Sequence, residues 1–142
     1  RELFETRRVL EAPIFSLAAE RADDSDRELI SALLRRFDDD LEIDEFRKLD
    51  REFHTTIASL CGNPLLIELY GKVLDQLFRS HDFDAILSDE QNRPEVRKLV
   101  VDAIAGHRSI VGAFVAANGE QMAVAVTAHL ATVEHSIVDD LR

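Results

Sequence analysis

The chain has 142 residues, 46% of them hydrophobic, which is enough for one domain with a buried core and too apolar for a disordered segment. Its 28 acidic residues outnumber 17 Lys and Arg for a formal charge of −11, which argues against this segment gripping nucleic acid, since phosphate contacts need clustered cations. No apolar run approaches the ~20 residues of a membrane span, and a lone Cys61 excludes an internal disulfide framework and fits a reducing, cytoplasmic setting. Apolar residues recur at the 3.6-residue helical period nearly throughout, strand-like alternation never persists, and the pattern reads as six helices. The first is expected over about Glu2 to Arg21, with Leu3, Leu10, Ile14 and Leu17 on one face and Pro13 kinking it. Ser25 with Glu28 resembles a capping box opening a second helix to about Phe37, and Asp38-Asp39-Asp40 reads as a solvated loop. A third helix, about Glu42 to Leu60, carries Phe46, Asp50, Phe53, His54 and Ile57 along one stripe that reaches Cys61.

Gly62 ends that helix, and Asn63-Pro64 supplies the N-cap and first-turn proline of a fourth, with Leu66, Leu69, Tyr70, Val73, Leu77 and Phe78. His81 to Arg93 is irregular in pattern. Pro94 opens a fifth helix to about Ala117, with Val96, Val100, Ala103, His107, Ile110 or Val111, and Phe114 inward. The last helix follows Gly119 and buries Met122, Val126, His129, Val133 and Ile137. The fold class is an all-α single antiparallel bundle.

Asp50, His54, His107 and His129 lie on these apolar stripes, where a polar group needs a partner. Asp50 and His54 stand one turn apart on a shared face. His107 precedes Asn118 by eleven residues and His129 follows Gly119 by ten, so a turn at Asn118-Gly119 sets both imidazoles at nearly one height. A histidine on an apolar face is ordinarily a core residue bonded to a carbonyl. One carboxylate and three imidazoles converging in a bundle instead suit a borderline divalent ion: Zn²⁺, Ni²⁺, Mn²⁺ or Fe²⁺. Arg7, at the edge of the first stripe, reads either as an exposed partner of Glu11 at i+4 or as a guanidinium reaching inward to hold a ligand carboxylate. His81 and His135 read as surface residues, and Cys61 as a small buried hydrophobe.

At these residues the chain resembles the FCD ligand-binding domain of GntR-type transcription regulators of the FadR subfamily. The matching pieces are Glu5-Thr6-Arg7-Arg8-Val9-Leu10-Glu11, Leu17-Ala18-Ala19-Glu20-Arg21, Leu49-Asp50-Arg51-Glu52-Phe53-His54 and Gly62-Asn63-Pro64-Leu65-Leu66. Gly106-His107-Arg108-Ser109-Ile110 and Ala128-His129-Leu130 complete the order, so that the resemblance runs over residues 1–142. It implies one divalent metal on Asp50, His54, His107 and His129, and Arg7 beside a small carboxylate or hydroxy-acid effector. It also implies a homodimer, no enzymatic activity, and a winged helix-turn-helix domain upstream of Arg1 that alone contacts DNA. Six helices rather than seven point to the shorter, VanR-like version. One departure is Gly106, which precedes His107 where relatives often carry an acidic residue. The rival from another class is a metal-dependent helical hydrolase or oxygenase, against which no further Glu, Asp or Lys is expected beside the ligands as a general base.

Overall fold

A computed structural model describes residues 2–141, and every regular element among them is helical. The first helix, α1 (Glu2–Arg21), runs through Pro13. The Val9 carbonyl that Pro13 cannot serve lies on the solvent face, where both residues are exposed. The buried face of α1 is Phe4, Arg7, Glu11, Ile14, Phe15 and Ala18. It is therefore rotated from the expected stripe: Leu3, Leu10 and Leu17 only border it.

Helix α2 (Asp24–Arg35) is capped by Asp23, whose side chain accepts from the Asp26 N–H at 2.8 Å while Asp26 accepts from the Asp23 N–H at 3.0 Å. The capping box thus sits two residues before the expected Ser25 and Glu28, because a carboxylate serves both positions of the box as well as Ser and Glu do. Helix α3 (Ile43–Ser59) buries Phe46, Leu49, Phe53, His54 and Ile57. Gly62, at φ 75°, makes the left-handed turn to α4 (Pro64–Arg79), which Asn63 caps through the Leu65 and Leu66 N–H groups. In α4 the inward residues are Tyr70, Leu74 and Leu77, whereas Leu69 is 43% exposed.

The stretch expected to be irregular is helical. Ser80 accepts from the Phe83 N–H and opens α5 (His81–Ser88), and Asp89 then caps a short 3-10 turn over Glu90–Asn92. Seven α-helices therefore occupy the described residues, which removes the helix count as a reason for the shorter, VanR-like version. Helices α6 (Arg93–Val115) and α7 (Gly119–His135) form the long hairpin, with Asn118 capping α7 through the Gln121 N–H. Helix α7 continues into a π turn, Ser136–Asp140. It packs along α1 and α6, while α3 lies against α1, α2 and α4. The main core, which includes Phe15, Phe53, Tyr70, Ile104, Phe114 and Met122, fills the space between these helices. No described helix is long and apolar enough to cross a membrane.

Candidate metal centre

Four helices deliver the expected polar residues to one level of this core. The i, i+4 spacing on α3 sets Asp50 Oδ1 3.2 Å from His54 Nε2, and the α6–α7 hairpin holds the His107 and His129 rings 4.8 Å apart. Asp50 Oδ1 also lies 3.0 Å from His107 Nε2. One donor nitrogen from each of His54, His107 and His129 falls within 4.8 Å of the others, and all three rings are buried. The structure thus brings together the three imidazoles, and Asp50 joins them through two of the three. His81 and His135 are exposed and Cys61 is buried, as expected.

The structure departs most from expectation at Glu11, which the sequence pattern places at the surface as a partner for Arg7. Glu11 is fully buried, and its Oε1 accepts from His54 Nδ1–H at 2.6 Å. Arg7, only 4% exposed, donates from Nε to Glu11 Oε2 at 3.0 Å and from Nη2 to Oε1 at 3.4 Å. Arg7 is therefore the partner of Glu11, but inside the bundle and not at the surface. A carboxylate does stand beside the expected ligands, contrary to the sequence argument against a general base. The Glu11 spacing from Arg7, Ile14 and Ala18 carried the signal, masked because two charges interrupt the apolar period.

The Glu11 contact also decides the tautomer of His54. With Nδ1–H committed to Glu11, a neutral His54 presents the lone pair of Nε2 to the Asp50 carboxylate. Two electron-pair donors 3.2 Å apart repel unless a cation lies between them. The atoms around that point are buried and poorly satisfied: Asp50 Oδ1 is in ion-pair range of His54 Nε2 and His107 Nε2 without an aligned hydrogen bond, and His107 Nδ1 and His129 Nδ1 have no hydrogen-bond partner. Leaving such atoms unsatisfied costs about 1–3 kcal/mol each, so the cluster fits a bound cation far better than an empty polar pocket. Three imidazoles and a carboxylate are the donor set of a borderline divalent ion.

Electrostatics point the same way. Burial would raise the Glu11 carboxyl, but Arg7 and His54 outweigh it and hold it at about 2, so Glu11 is an ionised anchor and a poor proton acceptor. Burial likewise opposes ionisation of Asp50, yet His54 and His107 hold it well below the usual range. Burial would lower His54, but Glu11 and Asp50 push it up to about 9. His107 and His129 are lowered, chiefly by burial, with the neighbouring imidazoles adding to the effect at His129.

A small cavity opens beside the centre. It measures about 50 Å³ and is lined by Arg7, Arg47, Asp50 and His129 with an apolar wall that includes Phe46 and Phe78. The aromatic and apolar residues Phe53, Ile57, Tyr70 and Phe114 of the helix stripes do not line it, because they pack in the main core. Arg47 had no sequence signal; it reaches the cavity from α3, donating to the Leu77 carbonyl at 3.0 Å and lying over Phe78.

An all-α bundle whose core carries a histidine-lined polar centre is the class these observations define. The chain belongs to the FCD domain family, whose model matches residues 2–132. It is 31% identical over 137 residues to the HTH-type transcriptional regulator LutR of Bacillus subtilis (strain 168), covering 94% of this chain and 60% of that protein. Its structure is similar to that of Streptococcus agalactiae GntR, with a TM-score of 0.73 and 26% identity, over 95% of this chain and 57% of the other. Both relatives extend well beyond the matched part, and neither is named as an enzyme.

The charge arrangement makes a pH prediction for protein stripped of divalent ions by a chelator. His54, raised to about 9, contributes stability that is fully present below its usual 6.5 and lost as pH rises through 9. His107 and His129 act in the opposite sense: below 6.5 the unfolded chain binds their protons and the folded chain does not. Stability should therefore peak near pH 6.5 and fall toward 9, and His54→Gln should flatten that alkaline limb. Urea unfolding at pH 6.5 and 9 reads it; an unchanged limb in the variant contradicts the assignment.

Proposed function

We propose that this chain is the effector-binding and dimerisation domain of a GntR-type, metabolite-responsive transcription regulator, and that Asp50, His54, His107 and His129 hold one divalent ion. The observation that carries the metal is the set of unpartnered imidazole and carboxylate atoms converging in the core. The names and greater lengths of the relatives support a DNA-binding domain elsewhere in the whole protein, in a cytoplasmic setting. This acidic segment has no part in gripping DNA.

A divalent ion at this centre would supply a Lewis-acidic, positively charged anchor for a ligand carboxylate. The protein groups set what charge that ligand needs. Arg7 and Glu11 cancel one another, and Asp50 cancels one of the ion's two charges while the imidazoles stay neutral. One positive charge is left in a buried setting, and a single anionic group completes it. Arg7 stands at the cavity wall to receive such a group, and Glu11 holds Arg7 in place. A water needs roughly 10–15 Å³ of such space, so a cavity of about 50 Å³ admits an acid of only a few non-hydrogen atoms unless its walls move. The ligand is thus a small carboxylate or hydroxy-acid. Because α1, α3, α6 and α7 all reach the centre, a ligand that favours one arrangement of these helices biases the placement of two DNA-binding heads by linkage.

Two-headed reading requires pairing. Val9 on α1 and Leu65 and Leu69 on α4 are 67%, 65% and 43% exposed, and α1 packs on α4. These positions supply the apolar contact of a homodimer. Sedimentation velocity should give twice the chain mass, and a monomer at micromolar concentration would count against pairing through this domain.

Purified protein should carry close to one divalent ion per chain, released on acidification as the imidazoles protonate. His107→Ala with His129→Ala should abolish it, and elemental analysis showing unchanged metal in that variant removes the site. A small organic acid should raise the melting temperature of metal-loaded protein by mass action. The rise should shrink severalfold in Arg7→Ala or after chelation; equal stabilisation with and without metal would make the metal purely structural.

A further inference from the structure

Gly106 precedes His107 in sequence, yet in space it belongs to His129. A Cβ placed on Gly106 would stand 2.3 Å from His129 Nδ1, 3.0 Å from its Cγ and 3.2 Å from its Cβ. Side-chain atoms essentially never approach that closely. Relief by a χ rotation of the ring is limited, because the crowding extends back to the His129 Cβ, which is fixed by α7. The helices α6 and α7 can approach at this level only where one of them has no side chain. On the outer side, an open cleft between the two helices of about 620 Å³ is lined by Gly106, Ala105, Ser109, Ala128 and His129. His129 also lines the inner cavity. His129 therefore borders both spaces, and its ring lies against the backbone of Gly106.

Gly112 provides an internal comparison. It lies on the same helix, and a Cβ there meets nothing within 4 Å. Glycine costs a helix interior roughly 0.5–1 kcal/mol relative to alanine, so a glycine at position 106 is held against a local penalty. From this geometry we infer that Gly106 is a positioning residue for the centre: by lacking a Cβ it seats the His129 ring against α6, where its nitrogen meets those of His54 and His107. An alanine at 106 pushes the ring out of the three-imidazole set.

The inference rests on the metal reading, and the experiment separates the two. Wild type, Gly106→Ala and Gly112→Ala are compared by two readouts: Zn²⁺ affinity from competition with a chromophoric chelator, and the histidine ring resonances of metal-free protein by proton–carbon correlation. Gly106→Ala should shift the His129 resonance and lose Zn²⁺ affinity by roughly tenfold or more, the scale seen when the support of a metal ligand is removed. Gly112→Ala should leave both unchanged. If Gly106→Ala melts too low to assay, the double variant with His129→Gly decides: with the ring and its Cβ gone the new methyl has room, and the pair should melt no lower than His129→Gly alone. Wild-type affinity with an unmoved ring resonance in Gly106→Ala overturns the inference, as does a double variant destabilised as much as the single one. A wild-type protein that binds no Zn²⁺ overturns the metal reading, whatever the variants do.

Discussion

The constraint on which the rest depends is the facing of Asp50 Oδ1 and His54 Nε2 across 3.2 Å. The α3 helix places them one turn apart, so the chain cannot separate them without giving up the helix. Glu11 takes the other nitrogen of His54, and burial removes water that could intervene. A positive charge must then sit at that point. With no metal, it is the proton of His54, which is why the imidazole holds its proton to about 9. With a metal, the ion replaces the proton, and His107 and His129, whose burial keeps them neutral, are ready as further donors. On the proposed reading one location thus takes either a proton or a divalent ion, with the same surrounding charges facing both.

The support of this centre reaches across the bundle. Arg7 and Glu11 on α1 orient His54 on α3, and Phe37, Phe53 and the other imidazoles pack around His107 with ring centroids 4.4–5.3 Å away. Nearly every helix that forms the core also touches a ring or carboxylate of the site. Packing and the polar centre are therefore coupled: α1, α3, α6 and α7 all meet at its rings and carboxylates, which is the connection the proposed regulatory role needs.

Much of this was legible beforehand because long amphipathic helices announce themselves. The α6–α7 hairpin carries a full period on each side of Asn118-Gly119, so the matched heights of His107 and His129 followed from counting residues. The same periodicity misled on α1. Leu3, Leu10 and Leu17 form an apolar line, but burying Arg7 and Glu11 as a neutral pair turns the helix to put Phe4, Phe15 and Ala18 inward instead. A single sequence scores two adjacent charges as solvent-facing, and only the tertiary pairing reveals them as core. Helix α5 escaped notice because eight residues are too few to show a period, although Ser80 and Asp89 are proper caps. Arg47 and the close approach of Gly106 are purely three-dimensional facts, set by neighbours distant in sequence.

On the proposed reading three imidazoles and one carboxylate of this chain share one divalent ion. X-ray absorption at the metal edge tests it without reference to any effector. Protein loaded with one equivalent of Zn²⁺ should show the multiple-scattering pattern of three imidazole rings together with an oxygen contribution, and the imidazole count should fall when His129 is replaced by Ala. A spectrum dominated by oxygen, or an imidazole count indifferent to that substitution, would contradict the account and leave the histidines as core residues.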